Sequence, residues 1–274
     1  MSPDTWKIVG YVAGVIAGLY ALVGLLLFLF QAKLVYFPSL DMEGSPSDAG
    51  LAFEPVSIKT VDGVTLSGWF VLSNQHSVVL LFLHGNGGNI SHRLESLRQF
   101  HAIGFSTLII DYRGYGQSEG ETTEEGTYRD AEAAWKFLTI DRGIREEDIV
   151  LLGRSLGGAI AAHLATLVKP RALVLESTFT SIPDRGSEIY PYFPVRLLSR
   201  IEYNTLSKLQ AVRCPVLVVH SPEDEIVPFN HGQRLFNAAT PPKEFLQIQG
   251  GHNDGNFVSG ERYTQGLRSF IDRN

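Results

Sequence analysis

Cysteine is almost absent from this chain of 274 residues, and it has no excess of basic residues. The single cysteine, Cys214, excludes an internal disulfide framework and a zinc site built on cysteine pairs. With 23 Lys and Arg against 29 Asp and Glu, the formal charge is −6, and no basic cluster is present to bind the phosphates of a nucleic acid. The eight histidines lack metal-ligand spacing such as H-E-x-x-H, so we expect neither a metal nor another cofactor.

What remains is the composition of a chain that folds. Hydrophobic residues make up 44% and charged residues 19%, a balance that excludes a disordered or collagen-like polypeptide. The length fits one large domain, or one domain with an appendage.

One long apolar run stands near the amino terminus. It spans Ile8–Phe30 and contains 23 residues without a charge. As a helix it would be about 35 Å long, enough to cross a hydrocarbon core of about 30 Å. Trp6 precedes the run and Lys33 and Tyr36 follow it, and such amphipathic residues are typical of a membrane interface. The run therefore predicts a single transmembrane anchor.

A cleaved signal peptide is the alternative interpretation of this run. It is disfavoured, because the apolar core of a signal peptide has about 7 to 15 residues and Gln31–Leu34 offers no small-x-small cleavage site. One lysine flanks each end, so only the free amino terminus and the acids Asp41 and Glu43 orient the helix. They favour a cytoplasmic amino terminus, with the rest of the chain on the opposite side of the membrane.

Small residues recur on one side of the predicted anchor. Gly10, Gly14 and Gly18 are spaced four apart, which allows a second helix to approach closely. Glycine is also common in membrane helices for other reasons. Pairing of two such helices is a hypothesis that the sequence leaves open.

Changes in composition divide the chain into three parts. The anchor covers residues 8–30, and a segment rich in Ser, Asp, Gly and Pro makes residues 31–50 a predicted linker. The globular domain is predicted to cover residues 51–274, with a short lid segment at about residues 177–212.

The globular part alternates between strand-like and helix-like segments. It begins with two runs, Glu54–Thr60 and Thr65–Leu72, around an Asp-Gly turn that predicts a hairpin. Short, wholly apolar runs follow, as in strands buried on both faces: Val78–Leu83, Thr107–Ile110, Ile149–Leu152, Ala172–Leu175, Val216–Val219 and Phe245–Ile248. Helical patterns lie between them: Ser91–Ala102, Thr127–Leu138, Leu156–Leu167, Asn230–Ala238 and Tyr263–Arg273. This alternation predicts an α/β fold with a mostly parallel sheet and helices on both faces.

A serine flanked by glycines follows one of these strands. Gly153, Ser155 and Gly157 form a G-x-S-x-G pattern between the strand Ile149–Leu152 and a helix of small residues. Such a pattern can place the serine on a sharp strand-to-helix turn, as a nucleophile requires. The backbone N–H of the next residue, Leu156, is then a candidate oxyanion donor.

A serine hydroxyl needs a base, and the base needs an orienting acid. Three adjacent acids, Glu223, Asp224 and Glu225, follow a predicted strand. Farther along, two glycines precede His252 in the loop after the last predicted strand. The order of serine, acid and histidine is the one that α/β-hydrolases use.

Several further motifs stand in the same order as in a known family. They are the junction Gln31–Pro38, the HGNGGN loop at His84–Asn89, the DYRGYGQSEG stretch at Asp111–Gly120, the serine elbow, the acid loop and the terminal GGHND. Together they cover almost the whole chain, which resembles the membrane-anchored α/β-hydrolases of the Bem46/ABHD13-like group. The resemblance implies that Asp224 is the acid of a Ser155–Asp224–His252 triad. It also implies that Asn86 supplies the second oxyanion donor beside Leu156.

Other residues could be mistaken for functional ones. Gly114 and Gly116 resemble part of a dinucleotide loop, but the third glycine, Gly120, comes one place late and no helix start follows. We interpret His84 as a structural residue at the end of a strand, since a triad needs one imidazole only. Cys214 is interpreted as a small core residue.

The predicted lid suggests the class of substrate. The segment contains the aromatic stretch Ile189–Val195 and is predicted to form one or two short helices that add an apolar wall to the site. With a membrane anchor nearby, such a wall favours a lipid-like acyl ester or an S-acylated protein as substrate. A serine peptidase and a non-catalytic membrane scaffold are the alternatives that the sequence leaves open.

Overall fold

The computed structural model describes residues 2–73 and 78–274. Its strands are β1 (Phe37–Pro38), β2 (Phe53–Lys59), β3 (Thr65–Val71), β4 (Val79–Leu83), β5 (Gly87–Gly88), β6 (Ser106–Ile110), β7 (Ile149–Arg154), β8 (Ala172–Glu176), β9 (Val216–His220) and β10 (Lys243–Gln247). Its α-helices are α1 (Pro3–Leu29), α2 (Gln31–Val35), α3 (Leu94–Ala102), α4 (Glu124–Lys136), α5 (Leu156–Leu167), α6 (Ile182–Ile189), α7 (Val195–Leu198), α8 (Thr205–Lys208), α9 (Phe229–Ala238), α10 (Gly255–Val258) and α11 (Gly260–Arg273).

Eight strands form one sheet in the order β10-β9-β8-β7-β4-β6-β3-β2. The predicted hairpin is β2 with β3, and β3 pairs antiparallel with both of its neighbours. All other neighbours in this sheet pair in parallel. The predicted α/β fold with a mostly parallel sheet is therefore confirmed.

The central strands are buried on both faces because successive side chains point to opposite sides. In β4, Leu81 and Leu83 enter a core with α4 and α5, while Leu80 and Phe82 enter a second core with α3 and α11. Burying one such side chain contributes about 1.5–3 kcal/mol. This explains why the strands are continuous apolar runs instead of alternating ones.

The order of the strands creates a crevice at the carboxyl ends of the central strands β4 and β7. From β4 the chain moves to β6 on one side, whereas β7 is followed by β8, β9 and β10 on the other. Ligands in open α/β sheets bind at the carboxyl ends of strands where the order reverses in this way. The loops after β4 and β7 both open at this point.

Helix α1 differs from the rest of the molecule. Its 27 residues have a mean hydropathy of 2.5 in their most apolar stretch, and none of them is buried. The helix is long and apolar enough to cross a membrane. A Cβ added at Gly10, Gly14 or Gly18 would meet no other part of the described chain within 4 Å. Pairing of these glycines with another helix stays a prediction.

The predicted linker at residues 31–50 lies against the globular part. It contains α2, β1 and a 3-10 turn at Pro46–Ala49. β1 pairs with β5, and the Asn89 side chain donates to the carbonyl oxygens of Ser39 (3.1 Å) and Asp41 (2.7 Å). The predicted lid segment, residues 177–212, contains the three short helices α6, α7 and α8.

Candidate active site

Ser155 occupies a strained turn between β7 and α5. Its backbone angles are φ 54° and ψ −120°, in a region that residues with a side chain rarely adopt. Its N–H donates to the carbonyl of Glu176 (2.9 Å), and its own carbonyl accepts from the Thr178 hydroxyl (2.6 Å). These two bonds to the end of β8 hold the turn in place.

The glycines of the motif permit this turn because the helix lies directly on the sheet. A Cβ on Gly158 would stand 2.6 Å from the Cβ of Thr178. A Cβ on Gly157 would collide with the carbonyl oxygens of Leu83 and His84. A side chain at Gly157 would push α5 away from the end of β4, and one at Gly158 would push it away from Thr178 after β8. Either change would move Ser155.

The three residues of the predicted triad form one hydrogen-bonded chain. The Nε2 atom of His252 lies 3.1 Å from the Oγ atom of Ser155. The Nδ1 atom of the same ring lies 2.9 Å and 3.0 Å from the two carboxylate oxygens of Asp224. All three residues are buried, so the chain is shielded from competing water.

The Asp224 carboxylate is held in its charged form. Burial opposes the charge, but hydrogen bonds from His220 and His252 and from the N–H of Val227 outweigh it and hold the pKa of Asp224 below its usual range. The N–H groups of Ile226 (3.0 Å) and Val227 (2.7 Å) both donate to one carboxylate oxygen. The acid can therefore orient an imidazole and stabilise its positive form at neutral pH.

The two acids beside Asp224 tie its loop to the histidine loop. Glu223 accepts from the N–H of Gly250 (3.1 Å), and Glu225 accepts from the N–H of His252 (3.0 Å). Of the three acids that the sequence left as candidates, only Asp224 reaches the imidazole of His252, and its neighbours hold the backbone of that loop.

Asn86 and Leu156, the predicted oxyanion donors, line the same cavity as Ser155. The backbone of Asn86 is fixed from outside, since its carbonyl accepts from the Tyr115 hydroxyl (2.9 Å) and from the N–H of Phe37 (3.2 Å). Its side-chain amide donates to the carbonyl of Val35 (2.7 Å). The segment that links α1 to the domain thus supports this loop.

His84 and Asp111 lie beneath the loop, away from the serine. Burial lowers the pKa of His84 to about 3 and raises that of Asp111 to about 7. The nearest approach between the imidazole and the carboxylate is 3.9 Å, and the Nδ1 atom of His84 contacts the carbonyl of Gly85 (2.7 Å). A histidine that is neutral and packed against Tyr112 agrees with the structural interpretation.

A buried ionic cluster supports the turn from the other side. Arg154 donates to the Glu176 carboxylate (2.8 Å), which also accepts from the Tyr263 hydroxyl (2.7 Å). Arg154 is the residue before Ser155, and the Glu176 backbone receives the serine N–H. The cluster therefore fixes both strands that position the nucleophile.

An apolar cavity of about 320 Å³ opens beside Ser155, at the lower end of the range for small-molecule sites. Lid residues such as Ile189, Phe193 and Leu198 form one wall. Leu27 and Phe28, at the end of α1, form another. Among the described residues that line the cavity, Arg185 alone has a charged side chain.

Some contributions to this site were not visible in the sequence. The imidazole of His220 lies 3.4 Å from the second carboxylate oxygen of Asp224. In the sequence, His220 follows a predicted strand and belongs to no motif that would indicate this role. The end of α1 was interpreted as membrane-spanning alone, yet it lines the cavity. Gln31 gave no signal beyond its place in the junction motif.

Comparisons with known proteins find relatives that cover most of this chain. The sequence model of the Hydrolase_4 family, described as serine aminopeptidase, S33, matches residues 74–204. Protein bem46 of Schizosaccharomyces pombe is 34% identical over 90% of this chain and 88% of its own. The mouse lysophosphatidylserine lipase ABHD12 is 29% identical over 82% of this chain and 65% of its own.

A solved structure shares the fold. The esterase Pf2001 of Pyrococcus furiosus superposes with a TM-score of 0.75 at 21% identity, over 87% of this chain and 97% of its own. The strand order, the serine elbow and the bem46 match lead to one assignment: the chain belongs to the α/β-hydrolase family, in the group that includes bem46.

Proposed function

We propose that this protein is a membrane-anchored serine hydrolase that cleaves carboxylic ester or thioester bonds of acyl substrates. The observation that carries the proposal is the unbroken hydrogen-bonded chain Ser155–His252–Asp224 at the wall of an apolar cavity. Serine, imidazole and carboxylate in this order activate a hydroxyl that is otherwise a weak nucleophile at neutral pH.

The reaction proceeds through an acyl-enzyme. The Nε2 atom of His252 takes the proton of Ser155 as its Oγ atom attacks the carbonyl carbon of the substrate. The N–H groups of Asn86 and Leu156 stabilise the oxyanion that forms. When the intermediate collapses, His252 returns the proton to the leaving alcohol or thiol. A water molecule, deprotonated by the same imidazole, then releases the acid and restores Ser155.

The lining of the cavity favours acyl substrates over peptides. The match to a family described as serine aminopeptidase, S33, makes a peptidase the second candidate. An aminopeptidase has to bind a charged amino terminus, and a buried ammonium group needs a carboxylate partner. None of the described residues that line the cavity is Asp or Glu, and its charged residue, Arg185, already pairs with Glu188 (3.2 Å).

Two observations support a lipid-like ester as the substrate. An S-acylated protein is the alternative for a thioester. One relative is a lysophosphatidylserine lipase. Helix α1 places the cavity next to a segment that is able to span a bilayer. We place the amino terminus in the cytoplasm and the catalytic domain on the opposite side, from the acids Asp41 and Glu43 that follow the helix.

The proposed function is tested first by labelling with a fluorophosphonate probe, which reacts with activated serines. We expect the wild type to be labelled and Ser155→Ala to remain unlabelled. Hydrolysis of aryl esters of short and long acids is then compared with hydrolysis of aminoacyl amides. An unlabelled wild type would rule out the serine mechanism, and a clear preference for the amides would reverse the order of the two candidates.

A further inference from the structure

Two apolar spaces lie side by side along helix α1. One is the cavity beside Ser155, and the other is a groove lined by Tyr20, Gly24 and Leu25 of the helix and by Pro194 of the lid. Three residues, Phe28, Phe193 and Leu198, line both spaces. The two spaces follow an apolar path from the serine to the outer flank of the helix, with these three side chains between them.

Specific contacts hold the lid against α1 over the length of this path. The Tyr20 hydroxyl donates to the carbonyl of Tyr192 (2.6 Å), and its ring stacks on Phe193 with 4.7 Å between the centroids. Farther along, the Gln31 amide donates to the carbonyl of Leu198 (2.7 Å). From Tyr20 to Gln31 the helical chain rises roughly 16 Å, so the lid runs beside the helix and does not merely touch its end.

The depth of these contacts indicates what surrounds the groove. A hydrocarbon core of about 30 Å takes about 20 helical residues, so a helix that enters it at Ile8 leaves it near Leu27. Tyr20 then lies roughly 10 Å inside the hydrocarbon, and the tip of the lid lies there with it. At that level the lid presents the ring of Tyr192 outward, 86% exposed. Exposed apolar surface next to a membrane helix is suited to contact with acyl chains.

We propose that the acyl chain of a membrane lipid reaches Ser155 sideways from the bilayer, through the groove between α1 and the lid. This inference rests on the proposed ester hydrolase function and adds the route and the class of substrate, a lipid ester that resides in the membrane. The ester group moves to the serine while its chain stays in apolar surroundings, so the chain never crosses water. Phe28, Phe193 and Leu198 form the passage from the outer groove to the inner cavity.

Gly24 allows the outer groove to be closed at a distance from the serine. It lines the groove but not the inner cavity, and a Cβ at this position would stand 3.7 Å from the Phe193 ring. Gly24→Ala therefore fits, whereas the longer side chain in Gly24→Leu fills the groove. Ala13→Leu is the control, since it adds a leucine to the same helix at an exposed position that lines neither space.

The full-length protein is reconstituted into phosphatidylcholine vesicles and given two substrates. One is a long-chain fluorogenic glycerolipid ester that is incorporated in the bilayer, and the other is p-nitrophenyl acetate in the water. We expect Gly24→Leu to lower the ratio of lipid to acetate turnover by about tenfold, the size of effect that small steric changes produce in apolar pockets. Gly24→Ala should lower it less, and Ala13→Leu should leave it as in the wild type.

The outcomes separate this inference from the proposed function. An unchanged ratio in Gly24→Leu, or an equal fall in Ala13→Leu, overturns the lateral route. A wild type that hydrolyses the acetate but not the membrane ester also overturns it, while the hydrolase function stands. A wild type that hydrolyses neither substrate and takes up no fluorophosphonate rejects the proposed function itself.

Discussion

The serine elbow and the lid line the same cavity, but their positions are fixed in different ways. All six residues of β7 are buried, and so are most residues of α5. In the lid, α6 has one buried residue, Pro183, and α7 has none. The elbow is positioned by the close packing of a core, whereas the lid is positioned by a few hydrogen bonds and by the side of α1. The catalytic serine therefore lies on a closely packed part of the molecule. The lid, which forms a wall of the cavity, has few buried residues and so can move with a smaller loss of packing.

The largest expected effect comes from comparing the triad carboxylate, Asp224, with a carboxylate of the lid, Asp184. Asp224→Asn keeps the shape of the side chain but removes the charge that orients His252, and we expect kcat for ester hydrolysis to fall by about 10⁴-fold. Asp184→Asn makes the same change in the lid, where the partly buried Asp184 carboxylate pairs with Arg196 and Arg234. It should change kcat by less than about fivefold, because its partners Thr180, Arg196 and Arg234 are not residues of the triad. Comparable losses of kcat in the two variants would break the comparison.

The dependence of stability on pH should also differ between the lid and the buried carboxyl of Asp111, which follows β6 in the core of the domain. Burial raises the pKa of Asp111 to about 7, so in the folded protein this group keeps its proton at pH values where the unfolded chain has lost it. Its contribution to stability is therefore complete below about pH 4 and is lost as the pH rises to about 7. Replacement by Asn removes this loss, and Asp111→Asn should gain on the wild type by about 1.4 kcal/mol per pH unit in that window.

For Asp184 of the lid, stability is expected to change with pH in the opposite direction. Burial raises the pKa of Asp184, but hydrogen bonds from Thr180 and Arg234 outweigh it and leave that pKa below its usual value. Its contribution is present above about pH 4 and is lost as the pH falls further. The free energy of unfolding, measured against pH in detergent for both variants, checks this contrast. A flat difference between Asp111→Asn and the wild type from pH 4 to 7 would show that the carboxyl is ionised throughout.

The smallest effect that we expect compares a single methyl group in the two regions. Gly158→Ala places a Cβ 2.6 Å from the Cβ of Thr178, so α5 has to move, at a cost of about 1–3 kcal/mol in the free energy of unfolding. Gly24→Ala places its Cβ 3.7 Å from Phe193, at ordinary contact distance, and should leave that free energy within about 0.5 kcal/mol of the wild type. Unfolding curves in denaturant measure both values. An equal loss in both variants would mean that the lid is packed as tightly as the elbow.

Much of the fold was predictable because the pattern of the sequence matches its burial. The apolar run Ile149–Leu152 became the centre of β7, and the predicted helix Leu156–Leu167 has the observed bounds of α5. The lid was less predictable, since its helices are only four to eight residues long. A period of 3.6 residues cannot be recognised in so short a segment.

The candidate site shows the same division. Ser155 and His252 were found from motifs of adjacent residues, and the choice of Asp224 depended on a family resemblance, because three acids stand side by side in the sequence. Spacing alone could not tell which carboxylate points at the imidazole. The tertiary structure places the other two acids on the backbone of the histidine loop instead.

By itself, the sequence determined the alternation of strands and helices, the strained serine turn and a helix long enough to cross a bilayer. These features depend on residues that are close together in the chain, such as a glycine near a serine or a run without charge. A short stretch of sequence is therefore enough to predict them. Only the tertiary structure decided that the end of α1 lines the cavity and that His220 faces Asp224. Such contacts join residues from separate segments, and the packing of the whole chain sets their distances.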